Sequence, residues 1–167
     1  FEAAVTSDVA PLWPLAERLV AACPNLRALK DPTRGGLAAA VNELADAAGL
    51  KIRIDEASVP VKPAVLGACE ALGLDVLNVA NEGKFVVVAP ADEAAAALAA
   101  MRGHPLGRDA AVIGEVLPAG SGPRVTLRTT IGGELEPISP SSGAGRSSSS
   151  YRSTTPSRPK PGTARPV

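Results

Sequence analysis

Two short runs of the sequence contain residues suited to chemistry on an anion or a proton. The first is Asp31-Pro32-Thr33-Arg34-Gly35-Gly36, which follows a short alternating segment and opens a helical pattern that continues to Ala48. A paired glycine between a strand and a helix makes a tight turn that lets another backbone or a phosphate approach closely. The Arg34 guanidinium adds a positive fork suited to anionic oxygens. Alternatively, Asp31 and Thr33 only cap the helix and the glycines only make the turn.

The second run is Asn81-Glu82-Gly83-Lys84, which stands directly before a segment rich in β-branched residues. A glycine at this point lets the preceding carboxylate lie at the mouth of a strand. Glu82 would act there as a general base, with a pKa tuned by partial burial. The alternative is that Asn81-Glu82-Gly83 is an ordinary polar turn in which Lys84 pairs with Glu82.

No other set of residues predicts a catalytic or metal site. Cys23 and Cys69 are not in a CxxC spacing, and a single histidine, His104, is too few for a zinc site. We interpret the two cysteines as buried free thiols in a reducing compartment. Asp8 and Lys62, like the histidine, are interpreted as solvated surface positions. No nucleophilic triad and no Walker-type lysine loop is present.

The elements that must position the two runs alternate between helices and strands. The pattern predicts helices ending near Cys23, spanning 36–48 and 63–73, and ending near Arg102, with strands at 26–30, 51–55, 84–89, 111–117 and 124–129. This order favours an α/β or α+β fold in which helices pack on a sheet of mixed direction.

The apolar residues of these segments predict a core. The segment at 85–89 is apolar on both faces, so we expect its strand to lie in the interior of the sheet. The helix at 36–48 is expected to bury Leu37, Val41, Leu44, Ala45 and Ala48. The predicted core residues are Leu37, Leu44, Ile52, Ile54, Val86 and Ile113.

Composition narrows the possible partners. The 167 residues amount to one domain, and only four of them are aromatic, which argues against a surface that stacks nucleic-acid bases. No stretch reaches the length of a membrane span and no signal-peptide pattern opens the chain. We therefore expect neither a nucleic-acid nor a membrane partner, and we expect a cytoplasmic location.

The sequence changes character after residue 136. Residues 137–167 contain nine Ser, six Pro, five basic residues and no acidic one. Such a segment buries too little apolar surface to offset its ordering entropy. The sequence therefore predicts a domain over residues 1–136 and a disordered tail over 137–167.

Several strings together carry a family resemblance that covers almost all of positions 1–133. They are Ser7-Asp8-Val9-Ala10-Pro11-Leu12, the run from Asp31 to Ala38, the segments 67–75 and 79–84, the segment 104–114, and Arg128-Thr129-Thr130-Ile131-Gly132-Gly133. In these strings the chain resembles the C-terminal domain of the HypE carbamoyl dehydratases of NiFe-hydrogenase maturation. That family lies in the PurM or AIR synthase-related superfamily, with selenophosphate synthetase and thiamine-monophosphate kinase.

The resemblance implies a fold, an activity and partners. The fold is an AIR synthase-related C-terminal domain beside an N-terminal domain that binds most of the ATP and Mg²⁺. The activity is ATP-dependent dehydration of a thiocarboxamide on a C-terminal Cys to a thiocyanate, whose cyano group passes to iron. The implied partners are a HypF-like carbamoyltransferase and a HypC–HypD-type scaffold, with a homodimer at full length.

The resemblance also implies roles for residues of both runs. Glu82 would handle the proton at the thiocarboxamide. Arg34, Gly35 and Gly36 would lie against the nucleotide or the incoming tail. The other candidates in the same loops are Asp31, Thr33, Asn81 and Gly83.

The chain departs from the family after Gly133. HypE-type chains end in Pro-Arg-Ile-Cys, whereas this one continues into the Ser/Pro/Arg tail without a Cys. A frameshift near this point would produce such a composition, and we expect the chain alone to be inactive. The alternatives are another ATP-using enzyme of the superfamily, similar to selenophosphate synthetase, or a partner-docking module without activity.

Overall fold

The helix boundaries follow the prolines and glycines of the sequence. The structure, a computed structural model, describes residues 7–129 and the backbone of residues 133–135. The elements are α1 (Trp13–Ala22), β1 (Ala28–Lys30), α2 (Gly36–Ala48), β2 (Lys51–Asp55), α3 (Pro63–Leu72), β3 (Val86–Val88), α4 (Ala94–Arg102), β4 (Gly114–Leu117), β5 (Val125–Arg128) and β6 (Glu134–Leu135). A 3₁₀ turn, Val76–Asn78, precedes the loop to β3. The predicted domain limit at 136 and the tail at 137–167 lie outside the described residues.

The strands form two sheets. In the larger sheet the order is β4-β2-β5-β6, with β2 antiparallel to β4 and parallel to β5. In the smaller sheet β1 pairs with β3 antiparallel, which places Leu29 opposite Val87. The alternating residues of β2 behave as predicted, because Ile52 and Ile54 are buried while their neighbours are half-buried. The predicted mixed sheet with packed helices is confirmed.

Two apolar clusters hold these layers together. The first consists of Val41, Ala45, Ile52, Ile54 and Val125, which join α2 to the larger sheet. The second consists of Leu19, Cys23 and Ala97, which join α1 to α4. β3 connects the clusters, because Val86 packs against the first and Val87 against the second.

The position predicted for β3 is wrong in one respect. Among the described strands β3 pairs with β1 alone, and its three valines are half-buried. Both faces are apolar because a different cluster covers each of them, and not because strands flank β3 on both sides. Of the predicted core residues, Ile52 and Ile54 are buried, whereas Leu37, Leu44, Val86 and Ile113 are half-buried against the first cluster.

The buried face of α2 also differs from the prediction. The first half of the helix buries Ala38, Ala39 and Ala40, whereas Ala48 is exposed. The start of α2 packs against the turn Val76–Asn78, where Gly36 lies against the backbone of Leu77 and Asn78. The periodicity of larger side chains could not reveal that these alanines are buried. Within the described residues no helix is long and apolar enough to cross a bilayer.

Candidate active site

The loop Asn81–Lys84 is packed against the segment that precedes α1. A Cβ built on Gly83 would lie 1.5 Å from the carbonyl oxygen of Asp8 and 2.5 Å from its carbon. The two backbones therefore touch at a point where no side chain fits. Gly83 therefore allows two backbone segments to pack in direct contact.

Lys84 joins the same two segments through its side chain. Its ammonium forms an ion pair with the Asp8 carboxylate and donates a hydrogen bond of 2.8 Å to Oδ1 of Asn81. The hydrogen bond from Lys84 holds the pKa of Asp8 below its ordinary value, against a smaller opposing effect of burial. The pairing of Lys84 with Glu82, considered as an alternative above, is not what the structure shows.

The loop is also tied to the first run. The backbone N–H of Asn81 donates to the carbonyl oxygen of Pro32 over 2.9 Å. As a result, Asp31 and Glu82 line the same open cavity of about 370 Å³, together with Lys84. The rest of the cavity wall is largely apolar: Ala10, Leu12, Trp13, Ala16, Leu29 and Phe85. The structure thus brings two predicted candidates, one from each run, to one cavity.

Glu82 is exposed in this cavity. Within the part of the chain that the structure describes, it forms no ion pair, because Lys84 is engaged by Asp8. The partial burial expected for this carboxylate is not provided by residues 7–129. A free, exposed carboxylate beside an apolar wall can accept a proton from a bound group.

The glycine pair at the start of α2 is held by a different contact. Gly35 and Gly36 both have left-handed backbone conformations, with φ of 81° and 63°. A Cβ on Gly36 would lie 2.5 Å from the carbonyl oxygen of Leu77 and 2.6 Å from that of Val79. The protein's own backbone therefore fills the space beside Gly36. Of the two groups that the sequence analysis allowed to approach these glycines, a backbone or a phosphate, the backbone is the one present at Gly36.

The remaining candidates of the first run lie around this turn. No side chain caps α2, so the interpretation of Asp31 and Thr33 as capping residues is wrong. Thr33 accepts a hydrogen bond from Gly36 through its backbone carbonyl. Arg34 is exposed and lies outside the wall of the cavity.

Among the described residues no group of three His, Cys, Asp or Glu side chains is arranged to hold a metal ion. Arg34, exposed beside the start of α2, remains suited to an anionic oxygen such as a phosphate.

Sequence reasoning missed the importance of Asp8, Lys84 and Trp13. Asp8 was interpreted as a surface position, and its partner Lys84 stands 76 residues away in sequence. Charges so far apart carry no local signal of pairing. Trp13, the only tryptophan of the chain, lines the cavity with 70% of its surface exposed, and that exposure is visible only in the structure.

A second polar cluster joins α1 to α4. The Cys23 thiol donates to Oε2 of Glu93 over 2.9 Å, and Asn25 donates to the same carboxylate through its backbone N–H and its side chain. The hydrogen bond to Glu93, with burial and the charges of Glu93 and Asp92, raises the pKa of Cys23 to about 11. Cys23 and Cys69 are both free and buried, as predicted.

The fold is matched in known proteins. The family described as "AIR synthase related protein, C-terminal domain" matches residues 4–125. The chain belongs to this AIR synthase-related family. Carbamoyl dehydratase HypE of Cupriavidus necator is 51% identical over 133 residues, which are 80% of this chain and 38% of that protein.

Solved structures agree with the AIR synthase-related assignment. The crystal structure of hydrogenase maturation protein HypE in complex with ATP has a TM-score of 0.79 at 40% identity, covering 83% of this chain and 43% of that one. The crystal structure of a HypE–HypF complex has a TM-score of 0.76 at 43% identity, covering 81% and 44%. The resemblance to HypE-type proteins is confirmed, and the chain spans about two fifths of the length of the relatives it matches.

Proposed function

We propose that this chain forms the C-terminal domain of an ATP-dependent carbamoyl dehydratase that makes cyanide ligands for NiFe-hydrogenase. The observation that carries the proposal is the contact between the two sequence runs. Asn81 binds Pro32, which places Glu82 and Asp31 on one cavity. The identity of 51% to a carbamoyl dehydratase supports the same reaction class.

The substrate is a thiocarboxamide on a C-terminal cysteine. Dehydration removes its oxygen and both nitrogen protons, as one equivalent of water, and leaves a thiocyanate. Glu82 accepts a proton from the carboxamide nitrogen, a role that a free exposed carboxylate can perform once substrate covers it.

ATP and Mg²⁺ provide the driving force for loss of the oxygen, and most of their site belongs to a further, N-terminal domain. The C-terminal domain formed by the present chain contributes Arg34, an exposed guanidinium suited to phosphate oxygens. Asp31, Thr33, Gly35, Asn81 and Gly83 shape the two loops, and Gly36 seats α2 on the turn Val76–Asn78. A HypE structure in complex with ATP supports the assignment of the nucleotide.

The partners follow from the same reaction. A HypF-like carbamoyltransferase loads the terminal cysteine, a HypC–HypD-type scaffold receives the cyano group, and the full-length protein is a cytoplasmic homodimer. The HypE–HypF complex among the similar structures supports the first of these partners.

A transplant tests the proposal. Residues 7–129 replace the aligned segment of Cupriavidus necator HypE, so that the host protein supplies the remaining parts, including the terminal cysteine. After carbamoylation, the transplant should lose one water from its terminal peptide only when ATP is present, as followed by mass spectrometry. A folded, ATP-binding transplant that leaves the thiocarboxamide intact would contradict the proposal. ATP turnover that depends on selenide would instead favour the selenophosphate synthetase-like alternative.

A further inference from the structure

The loop that carries Glu82 is fixed by its neighbours and not by Glu82 itself. Gly83 touches the backbone of Asp8, and Asn81 donates its N–H to Pro32. The Lys84 ammonium lies between the Asp8 carboxylate and Oδ1 of Asn81. Both residues that flank Glu82 are thus anchored, while the Glu82 carboxylate is left free at the cavity.

Asp8 has a second effect on Glu82 through charge. Lys84 is only two residues from Glu82, and both line the same cavity. If Asp8 were absent, the ammonium would be released to pair with the other carboxylates that line this cavity, Glu82 and Asp31. A carboxylate in an ion pair is a weaker base, because the positive charge stabilises its ionised form. Asp8 therefore holds Lys84 as an anchor and prevents it from neutralising Glu82.

We infer that Asp8 and Lys84 are positioning residues, which form a clamp that orients Glu82 and keeps its carboxylate free to accept a proton. This inference rests on the proposed function for the role of Glu82. The clamp itself rests on the contacts of Asp8, Asn81, Gly83 and Lys84 alone. Neither positioning residue is required to touch the substrate.

The clamp is suited to mutagenesis because its ion pair is partly exposed. The Lys84 and Asp8 side chains retain 50% and 39% of their accessible surface. Exposed ion pairs contribute little to global stability, so Asp8→Asn and Lys84→Met should fold. Asp46→Asn is the matched control, because Asp46 forms an exposed ion pair of 2.9 Å with Arg124, away from the cavity.

The first measurement is amide hydrogen exchange on the 167-residue chain. Residues 80–85 should exchange faster in Asp8→Asn and Lys84→Met than in the parent, and Asp46→Asn should leave them unchanged. Lys84→Arg, which keeps the charge opposite Asp8, should restore slow exchange. Equal exchange of this segment in the parent and in both clamp variants would overturn the clamp, whatever the activity of the protein.

The second measurement uses the transplant described above. Asp8→Asn should lower kcat for dehydration by about 10- to 100-fold, since small displacements of a catalytic group have effects of this size, and should leave KM for ATP unchanged. The double variant with Lys84→Met should be no slower than the slower single variant, because both act through one contact. Additive losses, or a rise in KM for ATP in Lys84→Met, would overturn the positioning role. A folded but inactive parent would overturn the proposed function and with it that role, while the exchange experiment would still decide the clamp.

Discussion

The backbone of Gly83 rests directly on the carbonyl group of Asp8. A Cβ at position 83 would lie 1.5 Å from that oxygen, far inside any van der Waals contact. Because both groups belong to the backbone, neither can turn aside as a flexible side chain would. One contact between residues 75 positions apart in sequence therefore fixes the loop before β3 to the segment before α1.

The first prediction is that Gly83→Ala destabilises the chain by about 3 kcal/mol or prevents folding, since added atoms in a closed contact force the backbone apart. The control is Gly67→Ala, because a Cβ at this position of α3 meets nothing within 4 Å. Alanine there should be neutral or stabilising by up to about 1 kcal/mol. Urea denaturation of both variants measures the difference, and equal stabilities would contradict the contact.

The second prediction concerns Gly36, which combines a left-handed φ of 63° with close contact to Leu77 and Val79. Gly36→Ala should lower the free energy of unfolding by about 3 kcal/mol or more, because the added methyl group meets both a strained φ and closed space. Gly73→Ala should lower the free energy of unfolding by about 1–2 kcal/mol. Gly73 has a similar φ of 66°, but a Cβ added there would meet nothing within 4 Å. The gap between the two free energies of unfolding isolates the packing against the turn Val76–Asn78. A loss no greater than that of Gly73→Ala would contradict this packing contact.

The third prediction is a pH dependence caused by Cys23. Its pKa is raised from 9.0 to about 11, chiefly by the hydrogen bond to Glu93. Between these two values the folded chain keeps a proton that the unfolded thiol has lost, so stability should fall as pH rises from 9 towards 11.

Denaturation at a series of pH values checks this dependence. Cys23→Ala should flatten the slope in the alkaline range, and Glu93→Gln should reduce it by removing the main cause of the shift. A Cys23→Ala variant with the alkaline slope of the parent would show that another group is responsible.

The fourth prediction is that Glu82→Gln in the transplant slows dehydration by roughly a hundred- to ten-thousand-fold, the contribution typical of a positioned general base. Glutamine keeps the size of the side chain but cannot accept the proton, so folding and ATP binding should persist. A single-turnover assay by mass spectrometry measures the rate. Glu70→Gln, an exposed glutamate of α3, serves as the control. A Glu82→Gln rate within about threefold of the parent would show that Asn81–Lys84 is a structural turn without a catalytic role.

The sequence predicted those features that depend on local pattern. Alternation marked Ile52 and Ile54 as the buried residues of β2, and the glycine after α3 marked its end. The sheet position of β3 was predicted wrongly, because apolar residues on both faces report only that both faces are covered. Helices and side-chain clusters can provide that cover as well as strands do.

The candidate site shows the same division. Glu82 and Asp31 were found by their local setting, one before a strand and the other before a helix, and the structure brings both to one cavity. The clamp of Asp8 and Lys84 was not predicted, because its two charges stand 76 residues apart in sequence. Such a contact depends on tertiary structure and leaves no periodic trace in the chain.

The order of strands in the larger sheet has a consequence for synthesis on the ribosome. β2 leaves the ribosome before both of its neighbours, because β4 and β5 occupy positions 114–128. Until those residues leave the exit tunnel, both edges of β2 and the side chains of Ile52 and Ile54 have no partner strands. Nascent chains with such long-range pairings fold late and expose apolar surface in the meantime. The core between α2 and this sheet therefore closes only after residue 128 has been synthesised.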